Sequence, residues 1–330
     1  MRKITILAVP LLAVMACDSG TEPAAVRPEG ALLSASPAAC QPAGSTGQTA
    51  VYVNQSVIGA TIDFADLGCN MAIYFDAAAP ADAVVRNTTV IQETGVGGVV
   101  TGLWNNGANV TVTNSLFTTA VTGQYVPIRF DNGATGTIAG NELSGTHRVA
   151  ILIRGAGTDV VVRNNVVSGS GAKTSGWAEN GIQVDQQAAA SVLNNTLTGH
   201  WWDGPSNWAS TAILVNGANG LRIRNNVLVD NEFSIYMYAS SSSTVTGNRT
   251  SSDIVSQSVL AFQAYGVLVA GADNRITGNE FSALNGAAGV YIFPGSAGNV
   301  FTGNRFDGFE WPIIDGGDDT IIRGKPAPVF

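Results

Sequence analysis

Charged residues and helix-forming stretches are both scarce in this sequence. Only 12% of its 330 residues are Asp, Glu, Lys or Arg, and no segment repeats apolar residues at the 3.6-residue period of a helix. The lack of that period argues against an α-helical fold. The chain is instead rich in Asn, Thr, Ser, Val and Ile, with 39 glycines, a mixture that favours short strands joined by tight turns.

Metal-binding and basic side chains are also few. Two histidines, four methionines and three cysteines without a cluster of thiols give little support for a metal site, so we expect no metal and no cofactor. The formal net charge of −8 makes the chain a poor partner for nucleic acid, because such binding depends on neutralising phosphates.

One short phrase recurs along the chain. It consists of a bulky apolar residue, two spacers, a small polar residue, one spacer and another apolar residue. Its polar slot is filled by Thr88, Ser115, Asn141, Asn165, Asn195, Asn226, Asn248, Asn279 and Asn304. Consecutive slots are 22 to 31 residues apart. Near-copies at this period predict a solenoid, in which each coil buries its apolar residues by stacking on its neighbours.

Each coil is predicted to contain three short strands. Apolar pairs at alternate positions, such as Ile182 and Val184, precede each phrase, and alternation with period two directs them into a shared core. The slot lies at the bend between the second and third strands. Asn suits that bend because it tolerates the left-handed backbone region and its amide both donates and accepts hydrogen bonds. We interpret the slot asparagines as a ladder, not as catalytic residues.

This pattern resembles the right-handed parallel β-helix repeat proteins of the pectin-lyase-like superfamily. The resemblance covers residues 70–325 and rests on phrases such as VVRNNVV at Val161–Val167. It implies an all-β fold, a right-handed parallel β-helix of nine to ten coils over residues 49–330 with a cap at each end. The superfamily includes lyases, hydrolases, epimerases, tail-spike proteins and non-catalytic surface proteins, so the resemblance implies no single activity.

The first 48 residues are predicted to direct export. Residues 1–16 combine a basic start with a 13-residue apolar run, which is too short to span a bilayer and typical of a signal peptide. The run ends in Val14-Met15-Ala16-Cys17, which resembles a bacterial lipobox and implies lipidation of Cys17. The alternative is a plain secretory signal with an incidental cysteine. Residues 17–48 are rich in Pro, Ala, Ser and Gly, as expected of a flexible tether.

The two cysteines other than Cys17 are also consistent with export. Cys40 and Cys69 form an even pair if Cys17 carries lipid, and such a pair in an exported chain predicts a disulfide. We therefore expect a location in the bacterial cell envelope, either lipid-anchored or secreted, with the lipid as the only membrane attachment.

Two long loops on consecutive coils carry the first set of candidate site residues. They span 168–181 and 198–212, and insertions on one face of a solenoid commonly form its binding surface. The acid/base candidates in these loops are Glu179, His200 and Asp203. The candidate sugar-stacking rings are Trp177, Trp201, Trp202 and Trp208. The alternative is that these rings form a small core that holds each loop in place.

The outward positions of the first strands carry the second set. Asp131, Arg154 and Asp185 fall on three successive coils, and Arg148 lies on the preceding turn. Carboxylates two coils apart would be separated by about 9–10 Å, near the upper limit for inverting glycosidases. Asp185 is thus a further acid/base candidate, and either arginine could bind a uronate carboxylate. The alternative is a surface ladder of self-neutralising charges.

The known catalytic motifs of the superfamily are mostly absent, so no catalytic residue is transferred by motif. The leading hypothesis is an exported envelope β-helix that binds or processes polysaccharide, as a lyase or glycoside hydrolase, in the groove beside the first strands. The alternative is a non-catalytic surface scaffold or adhesin lipoprotein. Buried tryptophans and dispersed acids would favour that alternative. An outward-facing column of side chains also favours it, formed by Leu214, Tyr236, Leu268 and Tyr291.

Overall fold

The computed structural model describes residues 39–93, 99–119, 124–204, 209–254 and 264–323. All regular secondary structure in these ranges is β-strand. None of the described residues belongs to a helix long and apolar enough to cross a bilayer. The predicted signal peptide, Cys17 and the predicted tether up to residue 38 lie outside the described residues.

Short strands follow one another along the whole solenoid. The first part contains β1 (Gln41–Pro42), β2 (Thr49–Val53), β3 (Val57–Ile58), β4 (Thr61–Asp63), β5 (Met71–Asp76), β6 (Ala83–Arg86), β7 (Thr89–Gln92), β8 (Val99–Asn106), β9 (Asn109–Thr113) and β10 (Leu116–Thr119). The middle part contains β11 (Gln124–Asp131), β12 (Thr135–Ala139), β13 (Glu142–Gly145), β14 (Val149–Arg154), β15 (Asp159–Arg163), β16 (Val166–Lys173), β17 (Asn180–Asp185), β18 (Ala189–Leu193), β19 (Thr196–Trp202) and β20 (Thr211–Asn216). The last part contains β21 (Arg222–Arg224), β22 (Val227–Val229), β23 (Phe233–Tyr238), β24 (Thr244–Thr246), β25 (Arg249–Ser251), β26 (Tyr265–Ala270), β27 (Arg275–Thr277), β28 (Glu280–Ile292), β29 (Val300–Thr302), β30 (Arg305–Asp315) and β31 (Ile321–Arg323).

The strands stack into three parallel series, because each strand from β2 to β25 pairs with the strand three places further along the chain. Near the C-terminus, β26 pairs with β28 and β27 pairs with β29. Sheet 1 contains the first strand of each turn, namely β2, β5, β8, β11, β14, β17, β20, β23, β26 and the C-terminal parts of β28 and β30. Sheet 2 contains the second strands, from β3 and β6 to β29 and β31. Sheet 3 contains the third strands, from β4 and β7 to β25 and the N-terminal parts of β28 and β30. The all-β parallel β-helix predicted from the repeat is confirmed.

A continuous apolar column fills the interior. On sheet 2, Val162 pairs in register with Ile138 on one side and Val192 on the other. All three side chains are fully buried. Complete burial of one such side chain contributes roughly 1.5–3 kcal/mol. A single turn buries too few of them to be stable alone, so each turn depends on its neighbours.

The predicted asparagine ladder is confirmed at every slot. The backbone N–H of each slot residue from Thr88 to Asn279 donates to the slot oxygen of the next turn over 2.9–3.2 Å, and Asn304 accepts the last of these bonds. From Asn141 onward, each slot amide nitrogen also donates to a carbonyl of the preceding turn. The ladder thus satisfies polar groups that would otherwise be unpaired in the interior.

The left-handed residue of each bend lies one position before the slot. Asn164 and Asn194 have φ values of 56° and 55°. Gly247 serves the same turn position with φ 65°. The slot residues themselves keep negative φ, so the prediction of a left-handed slot is wrong. The bend is made by the preceding Asn or Gly, which leaves the slot amide free to hydrogen-bond between turns.

The N-terminal end begins earlier than composition suggests. Cys40 and Cys69 form the predicted disulfide, 29 residues apart in sequence. β1 pairs antiparallel with β2 and so covers an otherwise open strand edge. Residues 39–48, assigned to the tether because of their composition, are therefore part of the folded cap.

Candidate functional site

The outward side chains of sheet 1 form the candidate binding face. Strand register places Asp131, Arg154 and Asp185 directly beside one another on successive turns. Asp131 accepts a hydrogen bond from Trp104 Nε1 at 2.6 Å. Arg129 Nε donates to the other oxygen of Asp131 at 2.8 Å. Both oxygens of Asp131 are therefore engaged by neighbouring side chains.

Asp185 has one oxygen without such a partner. Gln183 Nε2 donates to its Oδ2 at 2.9 Å. Arg154 Nε lies 3.8 Å from Oδ1 but donates to Gln186 Oε1 at 2.9 Å. Among the described residues, nothing donates a hydrogen bond to Oδ1. Burial raises the pKa of Asp185, while Gln183 and Arg154 oppose that rise. We call the residues Trp104, Arg129, Asp131, Arg154 and Asp185 the polar row.

Arg148 is directed toward a loop and away from the polar row. Its Nη1 donates to the carbonyl of Ala178 at 2.7 Å. The side chain is half-buried, and burial lowers the pKa of its guanidinium. This contact fixes the loop between β16 and β17 and directs the guanidinium away from the polar row, which argues against the predicted contact of Arg148 with a uronate.

Glu179 is an interior carboxylate. It is 1% exposed and accepts hydrogen bonds from Ser170 N–H at 2.8 Å, Ser170 Oγ at 2.7 Å and Lys173 Nζ at 3.0 Å. Burial acts to raise the pKa of Glu179, but His147, Ser170 and Lys173 together lower it below its usual range. The burial and the fixed partners are those of a structural ion pair, which argues against the predicted acid/base role of Glu179.

His200 is equally inaccessible. Its side chain is fully buried, and its Nδ1 lies 2.9 Å from Asn231 Oδ1. Burial, with a smaller contribution from His147, lowers the pKa of His200 to about 3. A general base must reach the proton that it removes, so this placement argues against the predicted catalytic role.

The tryptophans do not form an exposed stacking platform. Trp201 and Trp202 are 1% and 2% exposed, as the mini-core alternative expects. Trp177 is half-buried, with Lys173 Nζ 4.8 Å from its ring centre. Asp203 is buried as well, and its backbone N–H donates to the carbonyl of Lys173 at 2.6 Å. Trp208 lies outside the described residues.

Sheet 1 carries an aromatic cluster that sequence reasoning recognised only in part. Six rings make contact across the last turns: Phe233, Tyr236, Tyr238, Tyr265, Tyr291 and Phe293. We call them the aromatic patch. Their centroids are 4.5–6.1 Å apart. All six are partly or largely accessible, and Tyr238 is 52% exposed. The outward column predicted Tyr236 and Tyr291 but not Phe233 or Tyr265, which begin their strands.

Glu232 is a buried carboxylate that no pattern in the sequence singles out. It is fully buried, and its Oε2 accepts backbone hydrogen bonds from Ser210 at 2.7 Å and Trp202 at 3.2 Å. Its Oε1 has no hydrogen-bond partner among the described residues. Burial raises the pKa of Glu232 to about 8, and the charge of Asp203 adds to that rise. Glu232 lies between repeat positions, so no periodic signal marks it.

One group of carboxylates on the described surface could hold a cation. Asp63, Asp66 and Glu93 each place an oxygen within 4.8 Å of the others. All three are partly or fully exposed, and such groups are common on acidic proteins, so we assign it no role.

Comparison with known proteins agrees with this architecture. A family described as Right handed beta helix region matches residues 50–249 and, in an overlapping second alignment, residues 173–324. A comparison of the sequence with curated proteins finds no match.

Proposed function

This chain belongs to the family of right-handed β-helix regions, and we propose that it binds polysaccharide along the outer face of sheet 1 without cleaving it. The Cys40–Cys69 disulfide indicates an extracytoplasmic location. Envelope polysaccharides are available there, whereas cytoplasmic nucleic acids are not. Attachment through Cys17 remains part of the proposal.

The observation that supports binding is the continuity of two surfaces on one sheet. The polar row lies on β8 to β17, and the aromatic patch lies on β23 to β28 and the residue after it. At about 4.8 Å per strand, the face from Trp104 to Tyr291 is roughly 34 Å long. That length suits an extended chain better than a small molecule. Aromatic rings stack on the apolar faces of sugars, and the polar row offers hydrogen bonds to hydroxyls.

The burial and the hydrogen bonds of the carboxylates favour binding over cleavage. Glycoside hydrolysis requires two carboxyl groups that face the same bond. Glu179 is enclosed within the solenoid, and Asp131 has both oxygens engaged. Asp185 alone in the polar row keeps an oxygen without a hydrogen bond from a described residue. That oxygen is buried and Asp185 is only 6% exposed, so the polar row presents no pair of carboxyl groups that could act as acid and base.

A second candidate is an adhesin that uses the same patch to contact a protein. Its support is the close packing of the six rings against one another, because contiguous aromatic surface is typical of protein interfaces. In that case the patch would bind without any dependence on added sugar.

Affinity electrophoresis through gels that contain polysaccharide tests the proposal. A panel of neutral and uronate polymers should include one that retards the wild-type protein. Tyr238→Ala combined with Tyr291→Ala should abolish the retardation, since both rings lie in the patch. The matched control is Ile58→Ala, because Ile58 is 51% exposed on sheet 2 and Tyr238 is 52% exposed on sheet 1.

Two results would contradict the proposal. The first is an unretarded wild type across the panel, which would leave the adhesin as the better explanation. The second is the release of reducing ends or unsaturated products by the wild type. That release, if lost in Asp185→Asn, would show that the face cleaves its ligand.

A further inference from the structure

The only two histidines of the chain meet inside the solenoid. His147 follows β13 and His200 lies in β19, two turns further along. Their Nε2 atoms are 3.2 Å apart, and both side chains are fully buried. The turn between them places Gly169 and Gly181 beside the His200 ring. A Cβ on either glycine would lie 3.2 Å from the His200 ring, so the two glycines leave room for the pair.

Hydrogen bonds at the opposite ring nitrogens fix which nitrogens carry hydrogen. His147 Nδ1 is 3.0 Å from the carbonyl oxygen of Gly145. A carbonyl oxygen can only accept, so Nδ1 of His147 is the donor. The Nε2 atom of neutral His147 therefore presents its lone pair toward His200.

The same reasoning applies to His200 through Asn231. The amide nitrogen of Asn231 donates to the carbonyls of Leu197 and Val229 at 3.1 and 3.0 Å, which fixes the orientation of the amide. Its Oδ1 then faces His200 Nδ1 at 2.9 Å and must accept. His200 Nδ1 is the donor, and its Nε2 also carries a lone pair.

Two acceptor nitrogens thus face each other in the interior with no hydrogen between them. Facing lone pairs repel and leave two buried acceptors unsatisfied. We propose that a divalent cation of the Zn²⁺ class binds between His147 Nε2 and His200 Nε2.

The geometry suits such a cation. Zn–N bonds of about 2.0–2.1 Å joined to nitrogens 3.2 Å apart give an N–Zn–N angle of about 105°, which is close to tetrahedral. Metal-binding histidines donate their second ring N–H to a carbonyl or another acceptor. Gly145 and Asn231 supply these acceptors here. Their contacts orient both rings before any cation binds.

Two charged side chains act on this point in opposite senses. The carboxylate of Glu179 acts on both histidines in favour of a cation, whereas Lys173, whose Nζ lies 3.0 Å from Glu179 Oε1, opposes one at His147. Among the described residues, no third side chain joins the two histidines in a set of metal-ligating atoms. Water or an external ligand would therefore complete the coordination.

Calorimetric titration of the chelator-treated protein with Zn²⁺ tests the site. The wild type should bind one equivalent, and His147→Gln and His200→Gln should each weaken binding by at least about 10-fold, as loss of a ligand requires. Glu93→Gln is the control, because it removes a carboxylate from the exposed group at Asp63 and Asp66. Binding that is lost in Glu93→Gln but kept in both histidine variants would overturn the proposal.

A measurement on the wild type covers the case in which the variants fail to fold. With only two histidines, ¹⁵N spectra of the imidazoles give few signals. Added Zn²⁺ should shift both Nε2 resonances and leave both Nδ1 protonated. Spectra that show one shared proton between the Nε2 atoms and no response to Zn²⁺ would reject the metal site.

Discussion

Asn195 donates two hydrogen bonds to a single oxygen of Asn226. Its backbone N–H lies 2.9 Å and its Nδ2 lies 3.0 Å from Asn226 Oδ1. Nδ2 also donates to the carbonyl of Val162 at 3.0 Å, one turn away in the other direction. One side chain therefore links three successive turns, and the amide dipoles along the ladder align and strengthen one another.

Replacing Asn195 should destabilise the solenoid more than the small size of its side chain suggests. Asn195→Ala leaves the Val162 carbonyl and the N–H groups of Asn165 without their partner. Each of these three unsatisfied buried groups costs about 1–3 kcal/mol, so we expect a loss of at least about 3 kcal/mol in the free energy of unfolding. Urea denaturation followed by circular dichroism measures it. Thr196→Ala, at the adjacent half-buried position, is the control and should change stability by less than about 0.5 kcal/mol. Equal effects of the two variants would contradict the ladder's role.

Glu232 should make the protein less stable as pH rises. Burial raises its pKa from the ordinary 4.5 to about 8, so between these values the folded chain retains a proton that the unfolded chain has released. The contribution is fully present below pH 4.5 and is lost as pH rises through 8. Melting temperatures measured from pH 5 to 9 should fall less steeply for Glu232→Gln than for the wild type. Glu280→Gln, at a partly exposed position, should keep the wild-type slope, and an unchanged slope in Glu232→Gln would show that Glu232 is ionised when folded.

Loss of the disulfide should weaken the N-terminal cap. Cys40 and Cys69 are separated by 29 residues, and the chain-entropy estimate for such a loop is roughly 3–4 kcal/mol. Cys40→Ala with Cys69→Ala should lower the urea midpoint accordingly and speed proteolysis near β1. Cys17→Ser removes a cysteine without touching the bridge, so it should leave the midpoint unchanged. A double variant as stable as the wild type would mean that pairing between β1 and β2 suffices to hold the cap.

Substitution of Trp201 should affect stability without affecting polysaccharide binding, and substitution of Tyr238 should do the reverse. Trp201 is 1% exposed, so Trp201→Ala opens a cavity that costs about 3–5 kcal/mol, yet polysaccharide retardation measured well below the melting temperature should persist. Tyr238→Ala should weaken retardation and leave the melting temperature nearly unchanged. The opposite pattern would return the binding role to the loop tryptophans.

The repeat explains why the fold was predictable. Val162, Ile223 and Ile276 recur at matched positions of the phrase, and the structure places all three in the fully buried column of sheet 2. Period-two alternation also identifies Tyr236 and Tyr291 as outward-facing. Where residues follow the repeat, the sequence predicts whether each side chain points inward or outward, because neighbouring turns share the same strand register.

The loop residues escaped prediction because they leave that register. His147 and His200 are 53 residues apart, and their contact depends on glycines in the turn between them. Trp201 was expected outside, but β16 and β19 pair with a shift between Ser168 and Gly171, and the ring is buried. Such irregular pairing has no sequence period from which a side chain's direction can be calculated.

Because strand register in sheets 1 and 2 is the same at every turn while the loops absorb the variation in length, the solenoid can grow by duplication of a whole turn. Copying the 30 residues from one slot to the next, as between Asn165 and Asn195, would preserve every pairing above and below the insertion. Each copy would add about 4.8 Å to the outer face of sheet 1. Evolution could thereby match the reach of this face to ligands of different length without redesigning the interior.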